Sequence, residues 1–246
     1  MLTCRPSYFA AVIIAAAALT LFSTVEGHAQ NRETRDVEWF SQVSFAISGT
    51  LYITEGETQH IEVEADANHL DRIETVVEDG NLHVRGEEDS GWLSWLLGIF
   101  RGNESADVHV TVPSLEAVSI SGSGDVVGET PLTADAFSLE IAGSGGARIQ
   151  LDAYDVAVRI AGSGTSELNG TANYLKVDIA GSGNVRASDM DVARAEINVA
   201  GSGDCYVHAR ESIKASIMGS GDVFYRGEPT VEHTVMGSGS VRSVDS

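Results

Sequence analysis

The fold of this chain is predicted by a stretch that recurs along its second half, Val177-Asp178-Ile179-Ala180-Gly181-Ser182-Gly183. The Gly-Ser-Gly triplet occurs seven times, at intervals of 18 to 21 residues. A fixed period of this length indicates structural units that stack on one another. The triplets begin at Gly122, Gly143, Gly162, Gly181, Gly201, Gly219 and Gly237.

The segments on both sides of each triplet alternate between apolar and polar residues. Before the triplet, two apolar columns enclose a polar column, and this period of two indicates a half-buried strand. After the triplet, Val185, Cys205 and Val223 share one apolar column, so we expect Cys205 to be a small buried side chain. The polar column before the triplet contains Ser119, Glu140, Arg159, Asp178, Asn198, Ser216 and Thr234.

Each unit is therefore predicted to contain a strand, a Gly-Ser-Gly corner, a second strand and a variable polar return. We predict an all-β fold, a parallel β-helix or β-solenoid with seven Gly-Ser-Gly coils, preceded by irregular β coils. Glycine suits a corner that needs a positive φ or leaves no room for a Cβ atom. The predicted corner glycines are Gly122, Gly124, Gly143, Gly145, Gly162, Gly164, Gly181, Gly183, Gly201, Gly203, Gly219, Gly221, Gly237 and Gly239.

Two ligand-binding interpretations of the triplet are less well supported. A phosphate-binding glycine loop is followed by a helix, whereas a strand is predicted after each triplet here. A calcium ladder needs a repeated cage of oxygen ligands, but only Asp125, Asp204 and Asp222 supply a carboxylate directly after a triplet. The histidines show no spacing typical of a metal site. We therefore predict neither a metal nor a cofactor.

The composition excludes one class of partner. The chain has 36 acidic and 15 basic residues, a formal charge of -21. Binding to nucleic acid needs clusters of lysine and arginine that neutralise phosphates. We therefore expect no nucleic-acid partner, and the same charge disfavours anionic membrane surfaces.

The N-terminal residues 1–29 have the organisation of a secretory signal peptide. Arg5 precedes an apolar run from Phe9 to Phe22, and small residues lead up to Ala29. The run is shorter than the ~20 apolar residues of a membrane-spanning helix, so we expect cleavage after Ala29. The protein is predicted to be exported, to the periplasm, the cell surface or the medium.

The remaining chain is predicted to be one β domain in two parts, an irregular part at 30–115 and the repeat solenoid at 116–246. In the first part, residues 45–53 resemble a degenerate copy of the later corner, and Glu78-Asp79-Gly80-Asn81 predicts a hairpin turn.

These features together resemble a known family. The ordered pieces at 43–47, 61–65, 70–75, 79–82 and 110–115, followed by the Ile-x-Gly-Ser-Gly coils, are similar to the bacterial head GIN domain of auto-transporter adhesins. The resemblance covers residues 36–246. It implies a β-helix-like fold in an exported protein with a role in adhesion, and it implies no catalytic residues.

One apolar segment, at 90–102, does not belong to the repeat. It is too short to span a bilayer, and acidic residues flank it. We predict that it either caps an open end of the solenoid or contacts a partner chain or lipid interface. The candidate contact residues are Trp92, Leu93, Trp95, Leu96, Leu97, Ile99 and Phe100.

The sequence favours a non-catalytic binding or scaffold protein of the cell envelope over an enzyme. The alternative is a β-helix enzyme that processes polysaccharides, for which Glu140, Arg159 and Asp178 are the residues to test. Glycoside hydrolysis needs two suitably spaced carboxylates, and no acidic cluster occurs in this column. The predicted partner is an envelope or surface protein or a glycan. A last coil with an unpaired edge would also favour a homo-oligomer.

Overall fold

The structure, a computed structural model, describes residues 30–86 and 105–244. Within them, seventeen strands join one continuous sheet. The first nine strands are β1 (Gln30–Thr34), β2 (Gln42–Phe45), β3 (Thr50–Glu55), β4 (His60–Asp66), β5 (Ile73–Glu78), β6 (Asn81–Gly86), β7 (Asp107–Val112), β8 (Ala117–Gly122) and β9 (Asp125–Gly128). The others are β10 (Leu132–Gly143), β11 (Gly146–Gly162), β12 (Thr165–Gly181), β13 (Asn184–Gly201), β14 (Cys205–Gly219), β15 (Asp222–Arg226), β16 (Thr230–Gly237) and β17 (Ser240–Ser243). A single turn of helix, α1 (Ala67–Leu70), interrupts them.

The repeat region is a parallel β-solenoid, as the period predicts. Strands β10 to β14 pair in parallel, each with the strand one coil further along the chain. The register places Gly143 beside Gly162, Gly162 beside Gly181, and Gly181 beside Gly201. One expectation was incomplete: the polar return is itself strand, so β11 to β13 run unbroken from one triplet to the next. The returns are polar because one of their faces points to solvent.

In the triplets from Gly143 onward, both glycines are in places that a side chain could not occupy. The first glycine has a positive φ, for example +138° at Gly201, where a Cβ atom would lie 2.1 Å from the carbonyl oxygen of Gly181. That oxygen accepts a hydrogen bond from the backbone N–H of Ser202 at 2.8 Å. The third residue of the triplet is buried, and a Cβ atom at Gly203 would lie 2.1 Å from the oxygen of Gly183. The coils therefore approach more closely here than any other residue allows.

Stacked aliphatic side chains fill the interior. Ile141, Ile160, Ile179 and Val199 follow one another in register, and each is at most 2% exposed. The isoleucine of one coil also covers the next corner, because Ile160 Cγ2 occupies the space that a Cβ atom at Gly183 would need. The core and the corner therefore depend on each other.

A second ladder links the residues that directly follow the triplets. Asn184 Oδ1 accepts a hydrogen bond from the Asp204 N–H at 3.1 Å, and Asp204 Oδ1 accepts one from the Asp222 N–H at 2.9 Å. Asp125 does the same for Gly146 at 2.7 Å. These side chains satisfy backbone donors next to the corner, which gives them a structural task. No group of three His, Cys, Asp or Glu residues is placed to hold a metal in the described ranges.

The N-terminal part extends the solenoid, but its coils do not follow chain order. Strand β2 lies between β6 and β8, and β3 lies between β7 and β9. The degenerate copy thus forms a coil of its own, with Gly49 at its corner and a φ of +113°. The coil formed by β6 and β7 is at the far end, and residues 87–104, which connect these two strands in the sequence, lie outside the described residues.

Antiparallel strands cover the N-terminal end of the stack. β5 pairs with β6 through the predicted Asp79-Gly80 turn, in which both residues have a positive φ. β4 pairs with β7, and β1 pairs with β4. At the other end, β16 pairs with β14 and β17 with β15, and no described strand pairs with their outer edges. Among the described residues, no helix has the length and apolar character to cross a membrane.

Ser166 is a polar residue in the core, and replacing it should stabilise the protein. It is fully buried between Ala147 and Val185, and its hydroxyl has no hydrogen-bond partner among the described residues. We expect Ser166→Ala to raise the free energy of unfolding by about 1 kcal/mol, because an unpaired buried hydroxyl is removed. Urea unfolding measures the change, and Ser163→Ala at an exposed corner is the control. A less stable Ser166→Ala protein would contradict the prediction.

Cys205 is fully buried, as its column predicts. Burial, and then the neighbouring Asp204 charge, raises the pKa of its thiol to about 12. Since the thiolate is the reactive form, we expect a Cys4→Ser protein to react with a disulfide reagent at pH 8 only after unfolding. The raised pKa also means that stability falls as the pH rises from about 9 towards 12, because only the unfolded thiol ionises. Rapid labelling of the folded protein would disprove this.

Candidate functional site

The residues predicted to contact a partner cannot be placed. Trp92, Leu93, Trp95, Leu96, Leu97, Ile99 and Phe100 lie outside the described residues, within 87–104. In the sequence, this segment connects strands β6 and β7. Whether it caps the stack or binds a partner stays a prediction.

The column proposed for the enzyme alternative forms a regular ladder. The register places Glu140 beside Arg159 and Arg159 beside Asp178. Asn198 Nδ2 donates a hydrogen bond to Asp178 Oδ1 at 2.9 Å. The column continues on the outer face of the sheet, between exposed alanines such as Ala161. Arg159, Asp178 and Asn198 line an open cavity of about 400 Å³, in which Asp178 is the single carboxylate among the lining residues, whereas glycoside hydrolysis needs two.

The sheet after the corner carries a more distinctive surface, which we call the arginine–aromatic face. Its side chains point outward from successive coils. In the sequence, each of them except Arg242 directly follows a residue of the buried column that runs from Val126 to Val223. The parallel register aligns them one above another. The face contains Val127, Arg148, Glu167, Arg186, Tyr206, Phe224 and Arg242.

An aromatic pair lies at the centre of this face. The rings of Tyr206 and Phe224 stack with centroids 4.7 Å apart and planes 15° apart. The Arg242 guanidinium lies 5.4 Å from the centroid of the Phe224 ring, a favourable cation–π distance. Arg242 is held by Asp222 at 3.1 Å. A hydrogen bond from Ser240, and then the charge of Arg242, lowers the pKa of Asp222.

Arg186 is the arginine of this face that has no internal partner. Arg148 pairs with Glu167 at 3.3 Å, and Arg226 lies 3.9 Å from Asp189. Arg186, beside Glu167 and Tyr206 in the register, has no ion pair within residues 30–86 and 105–244. Its guanidinium can therefore donate hydrogen bonds to an external group.

A break in the ladder forms a cavity beside Arg186. Strand β13 bulges between Ala187 and Asp191, where its partner β14 continues from Val207 to His208. Met190 anchors the bulge, because its side chain is fully buried. Bulges of this kind redirect side chains and are common beside functional sites. The resulting cavity of about 260 Å³ is lined by Glu167, Asn169, Arg186, Ser188, Asp189 and Tyr206.

A larger groove, of about 910 Å³, lies where the returns bend into the next strands. Small side chains such as Ala134 and Ala136 form much of its wall. Its tyrosine, Tyr174, is already engaged, because its hydroxyl donates a hydrogen bond to Glu196 at 3.0 Å. Burial, followed by this contact, raises the pKa of Tyr174. The groove also has polar side chains in its lining, among them Gln42, Asp135, Asp155 and Lys176, but among the described residues it has no aromatic pair like that of Tyr206 and Phe224.

The arginine–aromatic face can be recognised in the sequence, although it was not predicted from it. The face is the column directly after Val126, Ala147, Ser166, Val185 and Cys205, so the same alignment on the triplet identifies it. The bulge had only a partial signal. The unequal lengths of two adjacent coils are visible in the triplets that begin at Gly181, Gly201 and Gly219, but only the strand pairing shows where the extra residues lie.

The site offers groups that can make surface contacts. It combines an aromatic ring, an unpaired arginine, two carboxylates and an amide on a rigid sheet. Within the described residues, the thiol at Cys205 is buried away from it, and its serine, Ser188, has no adjacent histidine among the cavity residues. The arrangement can recognise a ligand that offers both donors and acceptors.

Comparison with known proteins finds a matching family model and similar structures. Residues 39–229 match the family model described as "Putative auto-transporter adhesin, head GIN domain". The crystal structure of "a putative adhesin" from Bacteroides fragilis NCTC 9343 is similar, with a TM-score of 0.79, 26% identity and coverage of 87% of this chain and 97% of that chain. No protein with a curated function matches.

A second crystal structure has the same fold. It is of a "Putative lipid binding protein" from Parabacteroides distasonis ATCC 8503. The TM-score is 0.69 and the identity 24%, over 89% of this chain and 98% of that chain.

Proposed function

We propose, because this chain belongs to the family of the auto-transporter adhesin head GIN domain, that it is an exported, non-catalytic binding protein of the cell envelope. The family match covers the N-terminal coils and most of the repeat. Adhesion is the role for which the family is named. Here the contact surface would be the arginine–aromatic face.

The observation that carries this proposal is that this face presents polar and aromatic side chains to an external ligand. Arg186 has no ion pair within the described ranges, and Tyr206 borders a cavity that nothing else in those ranges fills. The parallel ladder holds these side chains on a rigid support, so little conformational entropy is lost when a ligand binds.

The proposal includes location and partners. The signal peptide predicted at 1–29 would direct export, to the periplasm or the cell surface. The segment at 90–102 would supply a second contact with an envelope protein, and the outer edges of β16 and β17 would pair with another copy of the chain.

Attachment assays on intact cells test the proposed function. A deletion strain should adhere less to immobilised envelope material than the parent strain, and the full-length gene should restore adhesion. Protease treatment of intact cells, with a periplasmic protein as control, shows whether the protein is on the surface. Unchanged adhesion after deletion would refute the adhesive role.

The enzyme alternative has its own experiment. We expect the purified protein to leave acidic polysaccharides unchanged, with no new reducing end or unsaturated product. A product that disappears in Glu140→Ala or Arg159→Ala would instead establish catalysis in the ladder before the corner.

A further inference from the structure

We propose that the cavity beside Arg186 binds one ring of a neutral oligosaccharide. The inference rests on the proposed binding function and names the ligand class for that site. Three features of the cavity support it: an aromatic wall, a mixture of hydrogen-bond donors and acceptors, and the charge around it.

The aromatic wall of the cavity is Tyr206. One face of the ring packs on Phe224 at 4.7 Å, which fixes its orientation. The other residues of the cavity belong to the preceding coils. An aromatic ring is negative on its face. It therefore attracts the weakly positive C–H groups that cover one side of a pyranose ring.

The polar groups around this wall suit hydroxyls. Arg186 and the Asn169 amide can donate hydrogen bonds, whereas Glu167 and Asp189 accept them. Each sugar hydroxyl is both a donor and an acceptor, so neighbouring hydroxyls can use both kinds of group. The anchored bulge holds Ser188 and Asp189 at the rim, and Arg148 orients Glu167 through their contact at 3.3 Å.

The charge of the cavity favours a neutral ligand. Its lining contains one arginine and two carboxylates, and each carboxylate is paired with an arginine outside the lining, Glu167 with Arg148 and Asp189 with Arg226. An anionic glycan would meet the long-range repulsion of a chain with a formal charge of -21. A basic peptide would meet Arg186, whose guanidinium has no other partner to neutralise it in the described ranges.

The size of the cavity limits what enters it. Its volume is about 260 Å³, at the lower end of the roughly 300–1,000 Å³ found for drug-sized ligands. One sugar ring is therefore accommodated, and the rest of a chain would lie along the exposed face. Contacts from a polymer that presents many such rings add up through multivalency.

An oligosaccharide array tests the proposal with the full-length secreted protein. The probes are neutral glucans, mannans, galactans and xylans of one to six units, acidic polygalacturonate and heparin fragments, and basic peptides. We expect binding to neutral probes, with a loss of about tenfold or more in Tyr206→Ala and in Arg186→Ala, the equivalent of about 1.4 kcal/mol.

Matched variants separate the site from general effects. Tyr154→Ala removes an exposed tyrosine elsewhere, and Arg159→Ala removes an arginine of the sheet before the corner. Both should bind like the unchanged protein. Circular dichroism and urea unfolding show whether each variant is folded, and Tyr206→Phe should keep most of the binding because the ring remains.

Several results would overturn the proposal. They are binding only to acidic glycans, binding only to basic peptides, and neutral binding that survives both Tyr206→Ala and Arg186→Ala. If no neutral probe binds while the gene still restores cell attachment, the ligand class is wrong and the adhesive function stands. If attachment is also unaffected by deletion, both fail.

Discussion

Gly201→Ala is expected to destabilise the protein by about 4 kcal/mol or more, a loss at the upper limit for single substitutions. Two costs add together. The backbone has a φ of +138°, which side chains rarely adopt, and the new Cβ atom would lie 2.1 Å from the Gly181 oxygen. Relief requires the coils to separate, which would weaken the hydrogen bond from Ser202 to that oxygen.

Gly122→Ala is the matched control for this prediction. Gly122 is also the first glycine of a triplet and has a φ of +97°, but a Cβ atom there would meet nothing within 4 Å. Only the backbone strain remains, at about 1–3 kcal/mol. The midpoints of urea unfolding compare the two variants. Equal losses would mean that coil spacing is not what selects glycine.

Ile160→Ala is expected to cost about 2–5 kcal/mol, the usual range for truncating a buried isoleucine. Ile160 is fully buried, lies between Ile141 and Ile179 in the ladder, and packs over Gly183. Its loss leaves a cavity that neighbouring coils cannot close, because their spacing is fixed by the backbone hydrogen bonds. Thermal and urea unfolding measure the change.

Arg159→Ala provides the neighbouring control. Arg159 precedes Ile160 but points outward and is exposed, so its replacement should change stability by no more than about 0.5 kcal/mol. A comparable loss in both variants would show that the outer ladder, rather than the interior column, stabilises the sheet.

The N-terminal coils show why the sequence could not give the whole fold. The strands at 42–45, 60–66 and 81–86 were recognisable from their alternation. Their spatial order was not, because β2 pairs with β8, more than 70 residues along the chain. Alternation specifies which face of a strand is buried, but it does not identify the neighbouring strand when no repeat aligns the two.

The candidate site likewise has one part that the sequence predicts and one part that it does not. Aligning the triplets places Arg186, Tyr206 and Phe224 in one column, because residues at equivalent positions of the repeat lie side by side in the sheet. The cavity could not be predicted. It arises because β13 has three residues, 188–190, with no counterpart on β14, and because Met190 turns inward to fill the core.

For this protein, the sequence by itself determined the solenoid, its corner and its inward columns. The reason is that a repeat makes distant contacts equivalent: each coil packs on a near copy of itself, so one alignment predicts every neighbour. The tertiary structure alone decided the order of the first coils and the position of the bulge. The order of the first coils depends on pairing between segments that no repeat aligns. The bulge depends on pairing between strands of unequal length, where the mismatch is accommodated by burying Met190.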